Sequence, residues 1–160
     1  AIHYFMQEKC LQPPHPPVPP FLTPTAAYAL FYNNSATGAT YAAGENIAYQ
    51  STLYNTATAD IVNNNGLITL SGGTTGKAYL VNYQVTGETA NDATLALAIN
   101  GTVDSNSEII PNSATGTSNG SYIVNVPANS TSTVALRVVS GTVTTASPTV
   151  GSYLSVIRIA

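Results

Sequence analysis

LITLSGGTTGKAYLVNYQV, residues 67–85, reads as two strands joined by a glycine turn. Leu67–Leu70 and Ala78–Thr86 are rich in residues that suit a pleated, half-buried surface, and Ser71-Gly72-Gly73 between them supplies turn chemistry. In the second run Tyr79, Val81, Tyr83 and Val85 recur at every other position, so they share one face of a strand.

The same period continues outward. Strands are expected at Ala26–Tyr32, Asn46–Leu53, Thr94–Ile99, Ser121–Val126, Thr133–Val139 and Gly151–Ile159. Turn clusters such as Asn63-Asn64-Asn65-Gly66 separate them, and Asn100-Gly101 after an apolar run predicts a tight hairpin, because both residues tolerate positive φ. Helix signals are nearly absent. Many short strands with regular turns predict an all-β sandwich or barrel. Several strands carry apolar or small residues on both faces: Leu95, Leu97 and Ile99 oppose Ala96 and Ala98; Val134, Leu136 and Val138 oppose Ala135, Arg137 and Val139; Leu154 and Val156 oppose Tyr153, Ile157 and Ile159. A two-layer sandwich buries one face of each sheet, so a second face needs another cover, and a neighbouring copy is the simplest one. Tyr79, Val81, Tyr83, Leu136 and Val156 are the residues expected to pack either the core or a contact with a neighbouring copy.

Composition changes sharply near Thr25. Seven of the ten prolines precede it, concentrated in QPPHPPVPPFLTP at residues 12–24. Proline lacks the amide donor and fixes φ, so this stretch is neither helix nor central strand and favours polyproline II. Residues 13–24 would then span roughly 37 Å as a stiff rod. The expected organisation is an N-terminal connector arm at residues 1–25 and a β domain at residues 26–160. The arm also carries apolar side chains, among them Tyr4, Phe5, Leu11, Val18, Phe21 and Leu22, whose density predicts a segment that docks, on another subunit or, as the alternative, back on its own domain. Cys10 is the only cysteine, which excludes an internal disulfide and leaves a cross-link between copies as its one disulfide option.

Charged residues are only 7% of the chain and the net charge is -3. Four scattered basic residues form no patch, so nucleic acid is not an expected partner. Weak self-repulsion favours dense packing of identical copies. No apolar run reaches the roughly 18–20 residues that span a bilayer. Residues 2–6 contain His3 and are followed by prolines, so no signal-peptide core is expected there.

Residues 25–160 contain neither His nor Cys, which removes Ser-His-acid and Cys-His nucleophilic systems and histidine-type zinc sites from that region. The carboxylates nearest in sequence, Glu88 with Asp92 and Asp104 with Glu108, are expected in loops as solvated turn residues, and no EF-hand spacing accompanies them. His3, Cys10 and His15 match no metal-ligand spacing. No enzyme activity, cofactor or metal is expected.

Three stretches resemble the C-terminal domain of BclA-type collagen-like glycoproteins of the spore exosporium. They are residues 67–85 quoted above, TLALAINGTVDSNSEI at 94–109, and STVALRVVSG at 132–141 with GSYLSVIRIA at 151–160. Their order and spacing over residues 26–160 carry the resemblance. It implies a jelly roll like that of tumour necrosis factor and the complement globular heads, assembled as a homotrimer. The Gly-X-Y stalk of that family is missing and the Pro-rich arm stands in its place. This combination resembles the subunits of thin spore-appendage fibres, whose trimers stack head to tail through N-terminal connectors. The resemblance implies an extracellular structural protein at a spore or cell surface. Its partners are copies of itself and an anchoring collagen-like or exosporium protein. The alternative is a carbohydrate- or receptor-binding jelly-roll module, a fibre-tip adhesin, with Tyr28, Tyr41, Tyr54 and Tyr122 as stacking candidates.

Overall fold

Residues 77–99 form one continuous strand where the sequence predicts two, and this strand links the two layers of the fold. The computed structural model describes residues 27–35, 38–111, 116–146 and 151–160. Their strands are β1 (Tyr28–Tyr32), β2 (Thr40–Ala42), β3 (Ser51–Asn55), β4 (Ile61–Asn64), β5 (Leu67–Ser71), β6 (Lys77–Ile99), β7 (Thr102–Val103), β8 (Thr117–Val126), β9 (Thr131–Thr145) and β10 (Tyr153–Arg158), with one 3-10 turn at Ser105–Ser107. The expected boundary between arm and domain lies outside the described residues.

One layer has the order β3-β1-β10-β6-β8, using the first half of β6. The other is built on β9, which pairs on one side with the second half of β6. On its other side β9 meets three segments in turn: β2, the stretch around Asn46 and Ile47, and β5, with β4 beyond. The crossing within β6 is made by register shifts between Gly87 and Thr89 and between Asn91 and Leu95, where Asp92 adopts φ 48°. Such irregularities bend a strand and increase its twist, which lets it leave one sheet and enter the other. The outcome is a jelly-roll sandwich.

Other differences from the sequence expectation have local causes. Asn46–Ala48 is not a strand, although Ile47 and Tyr49 are fully buried and Ile47 donates its amide to Leu136 O (2.8 Å). β3 begins only at Ser51. Asn63 and Asn64 belong to β4, so the turn narrows to Asn65-Gly66 with φ of 52° and 95°. A Cβ at Gly66 would lie 2.3 Å from Ile47 O, so both backbone sign and space demand glycine there. Asn100 and Gly101 have φ of 51° and 82° and form the expected hairpin turn between β6 and β7.

The core lies between the sheets. Phe31, Ile47, Tyr49, Ile61, Ile68, Leu70, Tyr79, Val81, Leu95, Leu97, Leu136, Leu154 and Val156 are all at most 1% exposed. Burial of each aliphatic side chain of this size contributes about 1.5–3 kcal/mol.

Candidate assembly surface

The residues expected to pack either core or trimer are in the core. Tyr79, Val81, Tyr83, Leu136 and Val156 are at most 2% exposed within a single chain, which removes them from contact with a neighbouring copy. The tyrosines fit because each hydroxyl reaches a carbonyl at the edge of the sandwich: Tyr79 to Ser71 O (2.6 Å), Tyr83 to Ser107 O (2.7 Å) and Tyr49 to Gln84 O (3.1 Å). Burial raises all three hydroxyl pKa values. Tyr79 is pushed up to about 12, chiefly by burial and then by the Asp60 carboxylate, with Arg158 acting the opposite way. Tyr83 rises by burial against the lowering effect of its Ser107 bond, and Tyr49 rises furthest, by burial and then Tyr41. The arm residues Tyr4, Phe5, Cys10, Leu11, Val18, Phe21 and Leu22 lie outside the described residues.

Exposed apolar side chains include Val62, Leu67, Ile110 and Val139 and a set on the outer face of the β3-β1-β10-β6-β8 sheet. Its register places Ile123, Leu80, Ile157 and Tyr28 directly opposite one another across four strands. Ile123 is 53% and Tyr28 42% exposed, so this apolar row faces outward. At one end Tyr28 meets Tyr54 edge to face, ring centroids 5.5 Å apart. One step along the strands lies a polar row: Asn82 accepts from Ser121 Oγ (2.7 Å) and donates to Ser155 Oγ (3.3 Å). The next step brings Asn119, Gln84, Tyr153 and Tyr32 into line. None of these positions holds a charged residue. The sequence signal was the apolar character of the alternate residues Leu80, Ile123 and Ile157; which of the two faces stays open was not legible from it.

The other sheet is different. Ala96, Ala98 and Ala135 point away from the core yet are at most 2% exposed in the single chain. Arg137, opposite Ala96, lies over that region, donating Nε to Asn46 Oδ1 (2.9 Å) and Nη1 to Gly101 O (3.0 Å). The cover expected from a neighbour is here supplied by the chain itself.

One end of the sandwich, termed the base, collects Ala27, Lys77, Asp60, Arg158 and the last residue, Ala160. Arg158 N donates to Ala27 O (2.9 Å), and Ala78 N to Ala160 O (3.1 Å). Asp60 bridges two cations there, Lys77 Nζ at 2.7 Å and Arg158 Nη1 at 3.2 Å, tying β6 and β10 to the start of β4. Beside this trio a groove of about 340 Å³ is lined by Gly76, Lys77, Ala78, Asn125, Val126, Pro127 and Ala160. A second, more polar hollow of about 400 Å³ lies against Ser71, Gly73 and the Asn129–Thr131 turn.

The carboxylate pairs have structural explanations. Residues 88 and 92 lie within β6 and not in a loop, because the two expected strands are one. Asp104 caps the 3-10 turn, accepting from Asn106 N (3.0 Å), and also accepts from the Tyr122 hydroxyl. That hydroxyl lowers the Asp104 pKa, and the carboxylate raises that of Tyr122. Among the described residues no three His, Cys, Asp or Glu side chains cluster as metal ligands. Of the tyrosines proposed for stacking, Tyr28 and Tyr54 are exposed, Tyr122 is half-buried, and Tyr41 is 9% exposed with its hydroxyl accepting from Asn33 Nδ2 (3.1 Å).

No protein-family model and no curated protein matches the chain. Solved structures do. Eiger TNF from S. frugiperda superposes with a TM-score of 0.60 at 12% identity, over 84% of this chain and 92% of that one. Murine APRIL at pH 8.5 gives 0.60 at 8% identity, over 82% and 99%. The globular domain of zebrafish complement 1qA gives 0.53 at 12% identity, over 84% and 98%. The domain is therefore a tumour-necrosis-factor-like jelly roll in fold. At such identities the likeness carries the fold alone.

Proposed function

We propose that this chain is a structural subunit of an extracellular, spore-surface fibre, trimeric through the outer face of its β3-β1-β10-β6-β8 sheet and stacked head to tail through its N-terminal arm. The observation that carries this reading is the uncharged outer face with its aligned row Ile123, Leu80, Ile157 and Tyr28. Apolar side chains aligned across four strands bury together against one flat partner, and the flanking Asn and Ser side chains hydrogen-bond among themselves. The resemblance to BclA-type domains makes the partner arrangement a closed trimer. A heterologous arm contact between trimers does not close, so it propagates. Three arms per trimer act at high effective concentration, and Cys10 offers one thiol per copy for a cross-link between copies in an oxidising environment.

The test compares the full chain with a deletion of residues 1–24 by negative-stain microscopy and light scattering. Filaments from the full chain and discrete trimers from the deletion are expected. Filaments from the deletion, or monomers from the full chain, overturn the reading. Micromolar glycan binding by trimers that do not polymerise would favour the adhesin alternative, with the exposed Tyr28–Tyr54 pair as its platform.

A further inference from the structure

The groove at the base lies at the end of the sandwich where Ala27, the first described residue, pairs with Arg158. We infer that this groove, whose small and apolar lining is Gly76, Ala78, Val126, Pro127 and Ala160, receives the apolar segment around Tyr4 and Phe5 from the arm of the next copy along the stack. The inference rests on the stacking reading and adds to it the location of the docking site.

Three observations converge. The first is where the arm begins. Ala27 is hydrogen-bonded to Arg158, two residues from Ala160, so the arm leaves the domain at the same end as the groove. The second is length. From β1 to β8 within one sheet is three strand spacings, roughly 14 Å. Residues 13–24 in polyproline II span roughly 37 Å, and a stiff rod of that length carries residues 1–12 well past the groove of its own copy. The sheet itself measures roughly 34 Å along Lys77–Thr86. In a head-to-tail stack, an arm leaving one base meets the far end of the next copy. The rod then runs about one sheet height and delivers the residues before Pro13 to that copy's base.

The third is chemistry. Five of the seven lining residues, Gly76, Ala78, Val126, Pro127 and Ala160, are small or apolar, with Lys77 and Asn125 the polar members, and the volume of about 340 Å³ exceeds that of one aromatic ring. Lys77, the charged group among them, is engaged by Asp60 at 2.7 Å and presents its aliphatic stem. Tyr4-Phe5-Met6 is the densest aromatic segment of the arm and stands on the far side of the rod from the domain.

A photo-cross-linking residue at position 125, exposed at the groove, tests this in the full chain. In filaments assembled from mixed isotopically light and heavy copies, the expected cross-link joins position 125 to residues 1–11 of a different copy. A cross-link within one copy, one to residues 17–26, or none at all overturns the assignment. Asn125→Trp, which fills the groove, is expected to reduce filament mass at least tenfold while trimers persist. If the 1–24 deletion abolishes filaments and Asn125→Trp does not, the groove assignment falls and arm-mediated stacking stands. If the deletion still polymerises, the stacking reading itself falls. Monomers from Asn125→Trp would place this groove in the trimer contact instead.

Discussion

Tyr83 and Gly120 sit directly opposite each other across the β6–β8 pair, and the tyrosine ring occupies the space where a side chain at 120 would begin. A Cβ built on Gly120 would lie 2.5 Å from Tyr83 Cζ and Oη. The ring is held by its hydroxyl's bond to Ser107 O (2.7 Å), so it cannot swing aside without breaking a buried contact. Gly120→Ala is therefore expected to destabilise the domain by about 1–3 kcal/mol, the usual cost of overpacking. Urea unfolding measures it. Combining it with Tyr83→Leu should recover part of the loss, since the clash partner is then gone.

Alkaline pH should loosen the fold before it ionises the folded tyrosines. Tyr79 has its pKa raised to about 12, and burial raises Tyr83 and Tyr49 as well. Unfolded tyrosine ionises near 10, so between about pH 10 and 12 the unfolded state loses protons that the native state keeps. Stability from these groups is complete below pH 10 and is lost as pH rises through the folded value. The urea midpoint is expected to fall steadily over that window, and Tyr79→Phe to shallow the fall. An unchanged midpoint up to pH 12 would contradict the buried hydroxyls.

Ile157→Asp or Leu80→Asp places a carboxylate in the middle of the apolar row. Neither residue belongs to the buried core, so the fold should persist with a native circular dichroism spectrum. The proposed trimer should not, because a charge buried at an interface without a partner costs several kcal/mol. Light scattering is expected to report a monomer. Trimers from both variants would move the interface elsewhere.

Asp60→Asn leaves Lys77 and Arg158 without their shared carboxylate at a site only 20% exposed. A loss of roughly 1–3 kcal/mol is expected, the range for hydrogen bonds to charged groups. Because the trio is partly screened, the difference from the parent chain should shrink in high salt. A variant with the parent's unfolding midpoint at low salt would show that the two ion pairs contribute nothing.

Strand identity was largely legible because period-two alternation is a local signal. Tyr79, Val81, Tyr83 and Val85 were read onto one face and all lie at most 2% exposed. The Asn100-Gly101 turn was read from backbone preference alone. β2 and β4 were missed. β2 has three residues and β4 has four, two of them asparagines that read as turn chemistry. The merger of two expected strands into β6 was also missed, since Gly87 to Asp92 looks like a turn cluster, and it becomes a bent strand where β9 pairs with Gly87, Thr89, Ala90 and Asn91.

The candidate assembly surface divides the same way. Alternation showed that certain strands were apolar on both sides, and it could not say which side was left open. That depends on long-range contacts: Arg137 is held by Asn46, ninety-one residues away, and by Gly101 O, whereas Ile123 stays 53% exposed. By itself the sequence determined the all-β class, the low charge and the proline-rich character of residues 12–24, because period, composition and backbone restriction act between near neighbours. Only the tertiary structure decided that Tyr83 and Val156 are core, that the face behind them is open, and that the arm's root and a small-residue groove share one end. Those are relations between residues that meet only once the sheets have formed.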